Sequence, residues 1–275
     1  MIAGVSGSRS SRRAVRIAAE EAAVHGYSLR LLHAFNWLPA LTGTPQTSPA
    51  RLLEQAAEQA ADAAPLLTVD TELVEGPPLQ GLLRRSRGAV LMVVGDGDLE
   101  SHVCLPRDTL PIQLAARATV SVMVTRASPV RDGPVLAGVS GADNAEAALD
   151  VAFDMAAHRR TGLIVMHAWQ DPGDPRDVAV GTLVEARVQK YGIPAQMRLV
   201  EGDPIEVMRR ESGTAGLIVV GARGRRPYRG LLGSVTQTLL HHGSAPVVVV
   251  RGVPWVPEVP DSGALRDVRV HPAAA

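Results

Sequence analysis

The sequence predicts two tandem, doubly wound α/β domains. Three observations carry this. The chain repeats itself once, each copy alternates strand-like and helix-like segments, and its strands VLMVV (90–94) and GLIVV (216–220) are continuous apolar runs. Such runs are expected where a parallel sheet is covered on both faces. The repeat is visible by eye: MIAGVSGSRSSRRAV (1–15) reads like VLAGVSGADNAEAAL (135–149), and LRLLHAF (29–35) like LIVMHAW (163–169), both at an offset of 134. LVEGPPLQGLLRRS (73–86) then matches LVEGDPIEVMRRES (199–212), and VLMVVGDGD (90–98) matches GLIVVGARG (216–224), at an offset of 126. The offset falls because the first copy carries a longer Pro-, Gly- and Thr-rich stretch at 36–49, which reads as an irregular loop. Repeat units of this length are domains, not solenoid repeats.

Each copy is read in order. IAGV (2–5) is a short apolar strand, and the helix after it places Val15, Ala18, Ala19 and Ala22 on one face, matched by Leu149, Ala152, Phe153 and Ala156. A strand follows at 29–34 or 163–168, a helix at about 50–64 or 177–191, and a strand ending in LVEG. A third helix begins near Pro78 or Pro204, where proline suits the first turn. After the apolar fourth strand, a last helix and a last strand, VSVMV (120–124) or PVVVV (246–250), close the unit. Alternation of this kind implies a doubly wound sheet with right-handed crossovers. The domains are therefore 1–126 and 134–251, joined by ASPVRDG (127–133); the proline-rich, aperiodic 252–275 reads as an extended or disordered tail, with Trp255 at its start.

Composition narrows the function. With 28 basic and 28 acidic residues in 275, the chain has no electrostatic bias toward nucleic acid or an anionic membrane. It lacks an apolar stretch near the roughly 20 residues of a membrane span, and its start reads as a strand rather than a signal peptide, so a cytosolic protein is expected. The single Cys104 excludes an internal disulfide and a cysteine metal site and reads as apolar filler. Two Phe, three Trp and three Tyr leave the cores to Ala, Val and Leu.

The chemistry-bearing segment is GARG (221–224), followed after eight residues by GSVT (233–236). A glycine-bounded loop leaving a buried strand and entering a helix offers backbone N–H groups and the helix dipole to a phosphate chain. Three motif readings fail. GVSGS and GVSGA follow the first strands where a dinucleotide fold needs G-x-G-x-x-G. Lys190 is the only lysine, so there is no P-loop. A nucleophile elbow would need glycine at Ser8 or Ala142, and His241 or His242 would have to face the first loop, so Ser6 and Ser140 read as helix-capping loop residues. His33 and His167, which recur at the ends of the second strands, read as hydrogen-bonded core-edge residues, and no His, Cys or carboxylate cluster shows metal-ligand spacing.

Taken together, the G-V-S-G turn, L-L-H-A and V-M-H-A, V-E-G-x-P, V-V-G-A-R-G, L-L-G-S-V and the final P-V-V-V-V resemble the universal stress protein family in a tandem two-domain form, over nearly all of the chain except the tail. The resemblance implies a five-stranded parallel sheet of order 3-2-1-4-5 in each domain. It implies ATP or a related adenine nucleotide, with any metal arriving as Mg²⁺, and dimerisation through the final edge strand. Carried onto this sequence, the phosphate loop is Gly221, Arg223, Gly224, Gly233, Ser234 and Val235, with Val139, Ser140 and the Ala168 backbone along the adenosine. Two departures stand out. The second and third glycines are separated by eight residues where the family has nine, and Ser140 replaces an aspartate. Losing that charge-assisted hydrogen bond costs on the order of 1.5–3 kcal/mol. Arg223, Arg225, Arg226 and Arg229 surround the loop and can attract a triphosphate.

Copy one has GDGD (95–98) in place of GARG, with Asp98 opposite Gly224, and aligning the final strands sets Asp108 and Thr109 opposite Gly233 and Ser234. A carboxylate about 4 Å from a phosphate oxygen costs roughly 4 kcal/mol at an effective dielectric near 20, so copy one is expected not to bind. The sequence thus leads to a cytosolic stress-response protein that holds ATP in its C-terminal domain with negligible hydrolysis. A nucleotide-independent interaction scaffold is the alternative and a slow ATPase the third reading, for which Asp143 would have to reach the γ-phosphate. The apolar final strands are expected to pair as an intramolecular pseudo-dimer, leaving other surfaces for a homodimer.

Overall fold

The computed structural model describes residues 1–35, 48–97, 109–127, 132–139, 142–169, 176–222 and 231–251, with the main chain alone at 142–144, 169 and 176–178. The first half runs β1 (Ile2–Gly4), α1 (Arg9–Val24), β2 (Leu29–Phe35), α2 (Pro49–Ala63), β3 (Val69–Glu75), α3 (Pro78–Arg85), β4 (Leu91–Gly95), α4 (Leu110–Arg117) and β5 (Ser121–Thr125). The second repeats it as β6 (Val135–Gly138), α5 (Ala142–Arg159), β7 (Leu163–Trp169), α6 (Arg176–Tyr191), β8 (Ala195–Glu201), α7 (Pro204–Glu211), β9 (Leu217–Gly221), α8 (Ser234–His242) and β10 (Val247–Val250).

Local chemistry fixes the helix starts. Ser8 caps α1 by accepting from the Ser11 N–H, so the capping role expected of Ser6 belongs to Ser8, and the Ser6 hydroxyl lies 3.1 Å from it. Ser48 caps α2 with Pro49 at its first position, so this helix starts inside the stretch read as loop; residues 36–47 of that stretch lie outside the described residues. Asp203 caps α7 ahead of Pro204, whereas in α3 the cap position is Pro77, which has no side-chain bond to offer.

The strands form one ten-stranded sheet in the order β3-β2-β1-β4-β5-β10-β9-β6-β7-β8. Each half has the order 3-2-1-4-5 with parallel pairing throughout. The halves join where β5 and β10 run antiparallel, with Val122, Met123 and Val124 opposite Val249, Val248 and Val247. The two final strands therefore pair with each other inside one chain, as their apolar character led one to expect. Side chains alternate across the sheet and build two cores, and each core draws on both halves. Leu31, Val93, Met123, Val219 and Val248 pack with α1, α2, α5 and α6 on one face. Leu32, Val94, Val122, Val220 and Val249 pack with α3, α4, α7 and α8 on the other. The predicted faces of α1 and α5 are wholly buried in the first of these layers.

Two arginines, one after each final strand, cross the junction. Arg126 is buried, donates from Nη2 to the Leu239 carbonyl near the end of α8 at 2.8 Å, and has Nη1 4.0 Å from Asp96. Burial lowers its pKa and Asp96 opposes that. Arg251 does the reciprocal job, donating from Nε to the Ala115 carbonyl of α4 at 2.8 Å, while its N–H meets Ser121 Oγ at 3.1 Å. Each half thus closes off carbonyls at the end of the other half's last helix, where a cation suits the dipole. Among the described residues no helix is long and apolar enough to cross a membrane. The expected tail (252–275), Cys104 and residues 128–131 of the linker lie outside the described residues.

Candidate functional site

The sheet order reverses between β6 and β9, because the chain winds outward from β6 to β8 on one side and from β9 to β10 on the other. The crevice beyond the carboxyl ends of such strands is where open α/β sheets take ligands. Gly138, the last residue of β6, stands opposite both Met166 of β7 and Val220 of β9. A Cβ there would lie 2.7 Å from Met208 Cε and 3.1 Å from Val220 Cγ1, so a larger residue would have to push the end of the Met208 side chain aside. The next residue is held on both sides: the Val139 N–H donates to the Met166 carbonyl at 3.0 Å, and the Val139 carbonyl accepts from Nδ1 of buried His167 at 2.9 Å. His33 repeats that bond to Val5 at 2.8 Å, so both histidines are the hydrogen-bonded sheet-end residues expected.

The loop after β9 has pinned feet. The Ala222 N–H donates to the Val250 carbonyl, and the Ala222 carbonyl accepts from the Gly233 N–H at 2.9 Å, closing the excursion between them. Buried Thr236 donates its hydroxyl to the Gly221 carbonyl at 2.8 Å, and Gln237 Nε2 donates to the Leu232 carbonyl at 3.1 Å. Gly233 is the cap residue of α8 and supplies no side chain, and the first helical bond runs from Gln237 N–H to the Gly233 carbonyl. The amides of Ser234, Val235 and Thr236 therefore precede the helix's own ladder, at the positive end of its dipole. Such a terminus is a ready anion site.

Of the residues expected at the site, the structure sets Ala168, Gly221, Gly233, Ser234 and Val235 along this one edge of the sheet. Ala168 and Val235 pack against the α7/α8 core layer. Val139 is buried in the opposite layer and both its main-chain groups are taken, so it supports the loop rather than offering a polar contact. Ser140, Arg223, Gly224, Arg225, Arg226 and Arg229 lie outside the described residues, as does the Asp143 side chain. Thr236 was not singled out, although GSVT spells it; a hydroxyl one turn into a helix beside a strand end is the readable signal. Arg251, whose Nη2 approaches the Leu231 carbonyl at 3.4 Å, had no such signal because it acts from beyond the last strand. His241 and His242 sit at the far end of α8, about 10 Å along its axis from the first turn, so they cannot serve as bases for the loop after β6.

In the first half the end of β4 packs closely against the start of α1. A Cβ on Gly95 would meet Ser10 Oγ at 2.5 Å and the Ser10 and Ser11 backbone at 2.6 Å, so α1 lies hard against the end of β4. Ser10 Oγ accepts from the Gly97 N–H at 3.1 Å, and the Ser10 carbonyl accepts from Thr125 Oγ1 at 3.1 Å. Asp96 is buried beside Arg126. Thr109, not Asp108, takes the position of Gly233, because α4 spans eight residues where α8 spans nine and the strand-based alignment slips by one at the cap. Asp98 and Asp108 lie outside the described residues. A cleft of about 150 Å³ between α1 and α2, lined by Val5, Gly7, Arg12 and Leu52, is smaller than a nucleotide needs.

A family model described as the universal stress protein family matches residues 1–126 and 133–251. A universal stress protein of Mycobacterium tuberculosis H37Rv is 31% identical over 292 residues, covering 91% of this chain and 96% of its own. One from Mycolicibacterium smegmatis is 28% identical, with the same coverage of 91% and 96%. The crystal structure of a universal stress protein from Archaeoglobus fulgidus is 18% identical with a TM-score of 0.70, covering 91% of this chain and 97% of that one.

Proposed function

Because the chain belongs to the universal stress protein family, with the family unit present twice, we propose that its second half binds ATP or a related adenine nucleotide without appreciable hydrolysis. The first half is then a structural or partner-binding domain. One observation carries the reading: α8 begins without a side-chain cap at the carboxyl end of β9, and four hydrogen bonds fix both feet of the glycine loop beside it. The amides of Ser234 and Val235 and the Ser234 hydroxyl would hold phosphate, with Gly221, Arg223, Gly224 and Gly233 shaping the loop. Ser140 and the Ala168 backbone would lie along the nucleoside, supported by Val139. Mg²⁺ would come with the nucleotide and neutralise phosphate charge; among the described residues this edge presents no carboxylate cluster of its own to hold it. Ser140 stands where a carboxylate could have oriented an attacking water, and the sequence 221–236 contains no Asp or Glu, which favours retention of nucleotide over turnover.

The test starts with the purified chain: nucleotide released by acid and identified by mass should be an adenine nucleotide. Ser234→Asp is the discriminating variant. An acid in the first turn of α8 suits the dipole, so folding is kept or slightly improved. A carboxylate about 4 Å from a phosphate oxygen would cost roughly 4 kcal/mol, enough to remove binding. A folded Ser234→Asp protein that binds ATP as well as the parent would place the ligand elsewhere.

A further inference from the structure

The carboxyl end of α1 meets the last turns of α5 across the two halves. Glu21 of α1 and His25, the residue that caps the helix, there face Asp154, His158 and Arg159 of α5. Arg159 Nη2 donates to Glu21 Oε1 at 2.8 Å, the other Glu21 oxygen stands 3.8 Å from His25 Nδ1, and Asp154 is the carboxylate that lies close to both histidines. His25 Nε2 lies 2.6 Å from Asp154 Oδ2, His158 Nδ1 lies 3.3 Å from Asp154 Oδ1, and the two rings are 4.3 Å apart at 55°. Donor atoms from all three residues fall within 4.8 Å of one another. Sequence spacing could not reveal this, since 129 residues separate His25 from Asp154.

Both imidazoles are oriented in the same way. Nδ1 of His25 faces the Glu21 carbonyl at 2.7 Å, and Nδ1 of His158 faces the Asp154 carbonyl at 3.0 Å, each four residues earlier in the chain. His25 also donates its Nε2–H to Asp154, so an ion bound here would displace that proton and take up Nε2, while Nδ1 stays on its carbonyl; histidines in metal sites are commonly held in this way, with the second nitrogen bonded to a carbonyl or carboxylate. The geometry points to a site for a divalent ion of the zinc class, ligated by His25, Asp154 and His158, that staples α1 to α5 and so joins the two halves. Two imidazoles and one carboxylate suit Zn²⁺, whereas Mg²⁺ and Ca²⁺ prefer oxygen ligands throughout. Tetrahedral ligands at about 2.0–2.1 Å from the ion stand roughly 3.3 Å apart, so the His25–Asp154 contact needs to open by less than about 1 Å. His25 and Asp154 side chains are 1% and 6% exposed and form a fixed floor, while His158, 36% exposed, can close over the ion and leave the fourth position to water.

The test uses the full, tag-free chain, stripped with a chelator and titrated with Co²⁺ and then Zn²⁺. One Co²⁺ per chain should bind with the intense visible absorption of a four-coordinate ion, Zn²⁺ should displace it, and Zn²⁺ should raise the melting temperature. His158→Ala, at an exposed position that will not disturb folding, should lower affinity by more than about tenfold and remove both signals. Asp154→Asn should do the same, and His241→Ala with His242→Ala should change neither. Absence of the cobalt spectrum, or a spectrum and thermal shift that persist in His158→Ala, would overturn the site and leave a metal-free network of hydrogen bonds.

Discussion

Replacing Arg126 with methionine keeps most of the stem's volume and deletes the charge that crosses between halves. The guanidinium sits 4.0 Å from the Asp96 carboxylate, and both side chains are 9% exposed. At that distance and an effective dielectric near 20 their attraction is roughly 4 kcal/mol. Desolvation offsets much of this in the native protein, but truncating one partner of a buried pair leaves the other behind, which typically costs about 3–5 kcal/mol. The Leu239 carbonyl at 2.8 Å loses its donor as well. Arg126→Met should therefore lower the stability of the chain by about 3–5 kcal/mol. The measurement is urea unfolding followed by far-UV circular dichroism, read as a shift in midpoint with little change in slope. Adding Asp96→Asn removes the stranded charge, so the double variant should be more stable than the sum of the single losses, by roughly 0.5–3 kcal/mol. A loss below about 1 kcal/mol for Arg126→Met, or strict additivity, would refute the role assigned to the pair.

Three further outcomes are expected. Gly95→Ala forces a methyl against the α1 backbone and should destabilise the protein by about 1–3 kcal/mol, although nucleotide binding by the second half is untouched; thermal melting with parallel titrations checks both, and a silent substitution would mean that α1 is not pressed on β4. Thr236→Val keeps shape and deletes the hydroxyl on the Gly221 carbonyl, so stability should fall by about 1 kcal/mol and ATP affinity by roughly tenfold, measured by calorimetry; unchanged affinity would detach the loop foot from binding. Titration with ATP should saturate at one nucleotide per chain without multiple turnover, and Gly224→Asp should abolish it. Two equivalent sites would show that the first half still binds.

Much of the fold was legible because its signals are local. Apolar runs, the helical faces of α1 and α5, and prolines at the starts of α3 and α7 each depend on residues a few positions apart. Self-repetition multiplied each signal by two. The junction was half legible: the apolar character of VSVMV and PVVVV says that they are covered, but the antiparallel register between Met123 and Val248 is a product of assembly. At the site, GARG and GSVT marked the loop. What holds the loop was hidden, since the Gly221–Thr236 bond and the Ala222–Gly233 closure depend on how a strand end and a helix start approach each other. Arg126, Arg251 and the His25–Asp154 pair were invisible for the same reason, as their partners lie more than 100 residues away.

The antiparallel seam between β5 and β10 also changes how the two halves relate to concentration. Two separate chains meeting through such strands would come apart on dilution. A short peptide connection converts that encounter into an intramolecular one, with an effective concentration on the order of millimolar. Pairing is then insensitive to expression level, and the two surfaces are always unlike. A symmetric dimer must pass every substitution to both partners at once. Under the proposed function, a glycine loop can be given up in one half and kept in the other, and an acidic residue that would oppose phosphate on both sides of a twofold axis, such as Asp98, needs to be tolerated only once.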